Sequence, residues 1–141
     1  MRRLALVLAF VALGLTACGK SNHQQRLTQD KIKTAYETFF SSKSSIPERL
    51  AVLQDGPRFK ALVTSFANNP LAKNVSAKVG TVTLHGANNA KVTYTVRLGG
   101  SPLPKQTGTA VRQNGTWKVG YASLCRLVAL EGSTPAVCKK P

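Results

Sequence analysis

Three cysteines are the side chains of this 141-residue chain best suited to covalent chemistry, and their settings divide them between two tasks. Cys18 follows Leu15-Thr16-Ala17 directly, at the end of a charged and then apolar opening. Its thiol is nucleophilic enough, as a thiolate, to take a diacylglyceryl group. The small Thr16 and Ala17 leave the backbone open to a peptidase that would release Cys18 as a new N-terminus. Cys125 and Cys138 are then left as the intramolecular pair. In an exported protein such a pair is expected to form a structural disulfide. The other readings are free thiols and metal ligation. A metal would want further ligands, and neither His23 nor His85 is close in sequence.

The opening fixes the expected address. Arg2 and Arg3 precede an apolar run from Leu4 to Leu15. Crossing a bilayer takes about 20 such residues, so the run is too short for a span. It has the length of a cleaved leader. With the cysteine in place it resembles a bacterial lipoprotein signal peptide over residues 1–17, an ordinary secretory leader being the alternative. One acyl chain holds a membrane only marginally. Two or three on Cys18 would anchor the protein at the cell membrane, on its extracytoplasmic face. Residues 18–27 are polar and unpatterned, the composition of a lipidated flexible tether. Residues 28–141 remain as one domain, large enough for a core of its own.

Charge narrows the partners. The whole chain carries +15, and removing Arg2 and Arg3 with the leader leaves 18 basic against 5 acidic residues. Such a balance draws the protein toward anionic lipid, wall polymer or nucleic acid. Nucleic acid is not expected, because the aromatics that could stack on bases are needed for the core.

The acidic residues are Asp30, Glu37, Glu48, Asp55 and Glu131. The first three read as helix-surface residues, Asp55 as a turn residue before Gly56, and Glu131 as tail. His85, at a strand end, reads as a solvated rim residue. No phosphate loop, metal cluster or nucleophile elbow is present. No catalytic residue, cofactor or metal site is therefore expected.

Periodicity places these residues on elements. Thr28 reads as the N-cap of a helix whose Ile32, Ala35, Tyr36, Phe39 and Phe40 form one apolar stripe. Glu48 to Gln54 reads as a short helical piece. Pro57 opens another carrying Phe59, Leu62, Val63 and Phe66. From Val75 the period changes to two. Val75–Leu84 is a strand with a bulge or bend at Gly80. Val92, Tyr94, Val96 and Leu98 alternate with polar partners in a second, and Thr107–Arg112 forms a third. Asn114-Gly115 turns the chain into a fourth, Thr116–Tyr121, with Trp117, Val119 and Tyr121 on one face. The order predicts an α+β fold, N-terminal helices packed on a curved antiparallel sheet of about four strands.

Phe39-Phe40, Leu53-Gln54-Asp55-Gly56, Ala90 to Val96, Asn114 to Val119, and Ser123 to Leu130 with Cys138 together resemble the low-molecular-weight antigen family of mycobacterial and related actinomycete lipoproteins. The resemblance covers about residues 28–138. It implies a cystatin-like, nuclear-transport-factor-type cone, export, and the Cys125–Cys138 disulfide. It implies no reaction.

Two binding surfaces follow. Tyr36, Tyr94, Tyr121 and Trp117 could line a pocket inside the cone that takes an apolar ligand, with core packing as the plainer role. If Tyr94 and Trp117 point inward, Lys91, Arg97, Arg112 and Lys118 form a basic outer face for anionic envelope polymer or lipid. That face could instead simply be solvated, or be paired in a homodimer. The function expected is a non-enzymatic, membrane-anchored envelope module. The alternative is a hydrophobic-ligand carrier or vestigial enzyme using the cone.

Overall fold

The longest element is a helix that runs well beyond its buried part. The computed structural model describes residues 18–130 and 132–139, with side chains from Ser21 onward. Residues 1–17, where a leader was expected, the Cys18 side chain, Glu131 and residues 140–141 lie outside the described residues. α1 spans Cys18–Phe40. Its C-terminal half carries the expected stripe, with Ile32, Ala35, Tyr36, Phe39 and Phe40 all buried. Its start differs from the expected Thr28. Residues 21–27 continue the helix with exposed side chains, where a flexible tether was expected. The segment holds no proline and has helix-compatible Gln, Arg and Leu. A helix already nucleated by the buried half extends at little cost.

α2 spans Ile46–Ala51 and opens on a capping box. The Ser45 N–H donates to Glu48 Oε2 at 2.7 Å, and the Glu48 N–H donates to Ser45 Oγ at 3.4 Å. The backbone bond from Ser45, then the one from its hydroxyl, hold the exposed Glu48 carboxyl below the usual carboxylate range. Arg49 is buried without a carboxylate partner among the described residues. Its Nη2 donates to the Ser41 carbonyl at 2.7 Å and its Nε to that of Ser44 at 3.2 Å, fastening the end of α1 to α2. Desolvation lowers its pKa. Beyond α2 the chain turns, and is not helical to Gln54 as expected: Leu53 forms an isolated parallel bridge with Val119. Gly56 then turns it so tightly that a Cβ there would collide with the Leu50 carbonyl. A 3-10 turn, Gly56–Phe59, leads into α3, Lys60–Asn68.

The sheet is a curled antiparallel meander. β1 is Ser76–His85, β2 Asn89–Leu98, β3 the short Ser101–Pro102, β4 Gln106–Gln113 and β5 Thr116–Val119. The order is β1-β2-β4-β5, with β3 paired to the end of β2. The register slips between Val79 and Val82, so the bulge expected at Gly80 is present. Asn114 and Gly115, at φ 51° and 78°, make the tight turn between β4 and β5, a conformation that favours Asn-Gly. Val92, Tyr94 and Val96 point to the core and Lys91 and Arg97 to solvent, as the alternation predicted.

The end of the chain departs from expectation. β5 stops at Val119, and Tyr121 opens a helix, α4, spanning Tyr121–Ala129. Gly120 causes the change: a Cβ there would strike the Thr109 side chain, so this glycine lets the chain lie flat against β4 and then turn. α4 covers the part of β4 that β5 leaves open. The Thr109 N–H donates to Ser123 Oγ at 3.0 Å, and Arg126 Nη1 donates to the Thr107 carbonyl at 2.6 Å. Side chains thus occupy backbone groups that an open edge would expose. The expected Cys125–Cys138 disulfide is present, Cα atoms 5.5 Å apart, and ties the tail back to α4.

Candidate functional site

The interior of the cone is the first place to look for a ligand, and it is filled. The Tyr36 ring lies 4.9 Å from that of Tyr94, Tyr94 stacks on Phe40 at 5.5 Å, and Phe40 meets Phe39 edge-on at 5.0 Å. The Tyr36 hydroxyl donates to the Thr109 carbonyl at 2.7 Å and lies 3.1 Å from Ser123 Oγ. Gly108 makes this approach feasible, because a Cβ there would run into both hydroxyls and the Tyr94 ring. Burial pushes the Tyr36 phenol far above its ordinary range, with the Ser123 bond pulling the other way. Desolvation raises the Tyr94 phenol as well.

The four aromatic residues expected to share a pocket therefore do not. Tyr36 and Tyr94 are core. Tyr121 sits elsewhere, stacked on Phe59 at 5.4 Å because α4 has carried it off the strand. Trp117 is buried at the edge of open space. It faces a cleft of about 720 Å³ between α1 and the two hairpin ends, with Leu27, Leu84, Asp30 and Arg112 among its walls.

Arg112 also departs from the expected grouping. Arg112 pairs with Trp117 across the hairpin, so its side chain leaves the sheet on Trp117's side, and Lys118 pairs with Val111 on the other. Its guanidinium donates to the Gly115 carbonyl at 3.4 Å. Lys91, Arg97 and Lys118 do share the outer face. Lys78, which the sequence reading left out, joins them, since it pairs with Thr95; Thr83 pairs with Lys91, so it and Thr95 lie on this face as expected. The signal for this was the alternation already in use. Of the described acidic residues, Asp30 and Glu37 lie on α1, Glu48 on α2 and Asp55 in the turn after it, so none is on a strand.

A second concavity opens on this outer face. It has a volume of about 420 Å³ and lies between α4 and the sheet, bordered by His85, Lys91 and Arg126. His23, in the exposed stretch of α1, is far from any such grouping in the chain order. Among the described residues there is no group of three His, Cys, Asp or Glu side chains able to hold a metal ion. Among the same residues no helix is long and apolar enough to cross a membrane.

Comparison with known proteins gives a family. A search of curated proteins returns no match. Among solved structures, a candidate NTF2-like transpeptidase from Campylobacter jejuni aligns with a TM-score of 0.33 at 15% identity, over 72% of this chain and 97% of its own. A family profile described as the low molecular weight antigen MTB12, C-terminal domain, matches residues 25–135, nearly the whole of what the structure describes. Phe39-Phe40, the turn before Gly56, the Asn114-Gly115 hairpin and the helix bearing Cys125 all fall inside that match, and this chain belongs to the low molecular weight antigen MTB12 C-terminal domain family.

Proposed function

We propose that this protein is a non-enzymatic envelope module, acylated at Cys18 and held on the outer side of the cell membrane, whose basic sheet face rests on anionic lipid. The carrying observation is the contrast between a closed interior and an unopposed basic exterior. Tyr36, Phe39, Phe40 and Tyr94 occupy the space where a substrate would sit. Lys78, Lys91, Arg97 and Lys118 share the opposite face with no strand carboxylate among the described residues to neutralise them. Residues 1–17 as leader, 18–27 as a lipidated spacer and 28–141 as the displayed domain fit this reading. The tether would supply most of the affinity; each surface lysine or arginine adds about 1 kcal/mol near an anionic bilayer.

The test has two arms. Intact mass of the detergent-extracted protein should show an acylated Cys18 as N-terminus, and a different mature N-terminus sinks the anchor. Sedimentation with phosphatidylglycerol vesicles should be salt-sensitive and should weaken on reversing Lys91, Arg97 and Lys118 to Glu. Salt-independent retention, or preference for wall polymer over vesicles, would argue against a lipid-facing role.

The cleft beside Trp117 supports a second reading, a carrier of an apolar ligand. Leu27 is 41% exposed on its rim and Leu84 and Trp117 form part of its wall. Co-purified lipid displaced by a Trp117→Ala substitution would favour it over the first.

A further inference from the structure

We infer that the cavity between α4 and the outer face of the sheet is a binding site for a phosphate ester. Three elements that are separate in sequence bring one basic side chain each to it. His85 comes from the end of β1, Lys91 from β2 and Arg126 from α4. Thr107, Thr109, Asn89 and Ser123 add polar groups to the lining, and no carboxylate of the described residues is part of it. The strand register explains the convergence. Thr83, Lys91 and Thr109 stand side by side across β1, β2 and β4, with His85 and Asn89 paired next to them.

The Lys91 and Arg126 charges repel one another, and water alone is a poor remedy inside a concave wall. An oxyanion relieves the repulsion and offers several acceptors at once. Arg126 is ready for it. One guanidinium nitrogen is fixed on the Thr107 carbonyl at 2.6 Å, so the side chain is already ordered and the other nitrogens remain as donors. Ordering before binding removes part of the entropic penalty of association. A planar guanidinium beside a compact ammonium is the pairing that suits phosphate. The volume, about 420 Å³, lies at the small end for ligand pockets. It suits a phosphate with a short organic group, either the headgroup of a phospholipid or a soluble phosphate ester. The inference goes beyond a diffuse basic face, because it requires a specific set of residues that excludes Arg97 and Lys118.

The experiment is a titration of the full chain in neutral detergent, followed by backbone amide NMR shifts. The probes are glycerol 3-phosphate, inorganic phosphate and chloride at equal ionic strength, and then bicelles containing phosphatidylglycerol or only phosphatidylcholine. Saturable shifts at His85, Lys91, Thr107, Thr109 and Arg126 with either phosphate probe support a soluble ester. The same shifts with phosphatidylglycerol alone support a headgroup. Lys91→Gln, at an exposed position with no fold role, should weaken binding about tenfold, as should Arg126→Gln. Arg97→Gln with Lys118→Gln should leave it within about twofold. Shifts that follow chloride equally, an absence of saturation with every phosphate-bearing probe, or equal losses from the two sets of variants would overturn the site. Equal losses would leave the charged-face reading standing, and an intact site without any vesicle adsorption would do the reverse.

Discussion

The two faces of the sheet are made by the same strands and differ in everything that parity controls. On β2, Val92, Tyr94 and Val96 are 0%, 2% and 0% exposed, while Lys91 and Arg97 on either side of them stand in solvent. The inner set meets α1 and is packed into one aromatic cluster. Among the described residues, α4 is the helix that meets the outer side, at the edge of β4. Stability therefore resides in one set of alternating positions, and the proposed recognition would use the other. A substitution should affect one property and leave the other almost untouched.

The largest expected effect comes from the inner face. Phe40 is fully buried between Phe39, Tyr36 and Tyr94. Phe40→Ala removes the ring that joins α1 to the sheet and should cost about 3–5 kcal/mol, measured by urea denaturation. A loss under about 1 kcal/mol would mean that the cluster is loosely packed and the cone open to a ligand. Next comes the disulfide, which links positions 13 apart. Replacing Cys125 and Cys138 with Ser should cost about 3 kcal/mol on the loop-entropy account. Adsorption to anionic vesicles should survive at temperatures where the variant is still folded. Loss of adsorption in the folded variant would show that α4 and its tail position the outer face.

Tyr36 tests the boundary between the two regions, since its ring is core and its hydroxyl reaches the Thr109 carbonyl under α4. Tyr36→Phe should cost about 1 kcal/mol, because Ser123 remains beside Thr109. The pH dependence is the sharper readout. Burial raises the Tyr36 phenol above its unfolded value of 10.0, so its contribution is fully present below that value and declines as pH rises through it. The wild-type chain should lose stability in that alkaline range, and the Phe variant should lose less. Identical alkaline limbs in the two proteins would show that Tyr36 is not buried as a neutral phenol in solution.

Much of this division was legible in the sequence. The stripe from Ile32 to Phe40, the alternation on β2 and the Asn114-Gly115 turn each carry a strong local period, so helix, strand and hairpin were predictable. What failed to show was any feature set by a distant neighbour. The first turns of α1 carry no apolar stripe and are helical only because the buried half below them is. α4 was hidden because Trp117, Val119 and Tyr121 alternate like a strand, and only the close approach of Gly120 to Thr109 ends the pairing there. Arg49 reads as one more polar residue of a short helix; its burial depends on the carbonyls of Ser41 and Ser44 lying across from it. The expected tyrosine pocket failed for a similar reason, as Gly108 opens room for the Tyr36 hydroxyl that no spacing reveals. Arg112 was different, since counting back from the two-residue turn pairs it with Trp117 and assigns it to the inner side. The cavity beside α4 needed both lessons, strand parity for His85 and Lys91 and an unforeseen helix for Arg126.

The smallest expected effect on stability is the most telling one for the comparison. Lys91 and Arg97 are exposed, and Arg97 reaches the carbonyl of Gly100, 2.8 Å away in the loop beside it. Lys118 is half-buried on the outer face. Substituting all three with Gln removes like charges from one surface and one exposed hydrogen bond, two small contributions of opposite sign. The net change should stay within about 0.5 kcal/mol, measured by the same urea denaturation. Vesicle adsorption should meanwhile fall steeply, because counter-charge attraction sums over the residues that face the bilayer while folding does not depend on them. If the triple substitution instead destabilised the fold by about 2 kcal/mol, the outer face would be holding the sheet together, and parity would no longer divide stability from recognition.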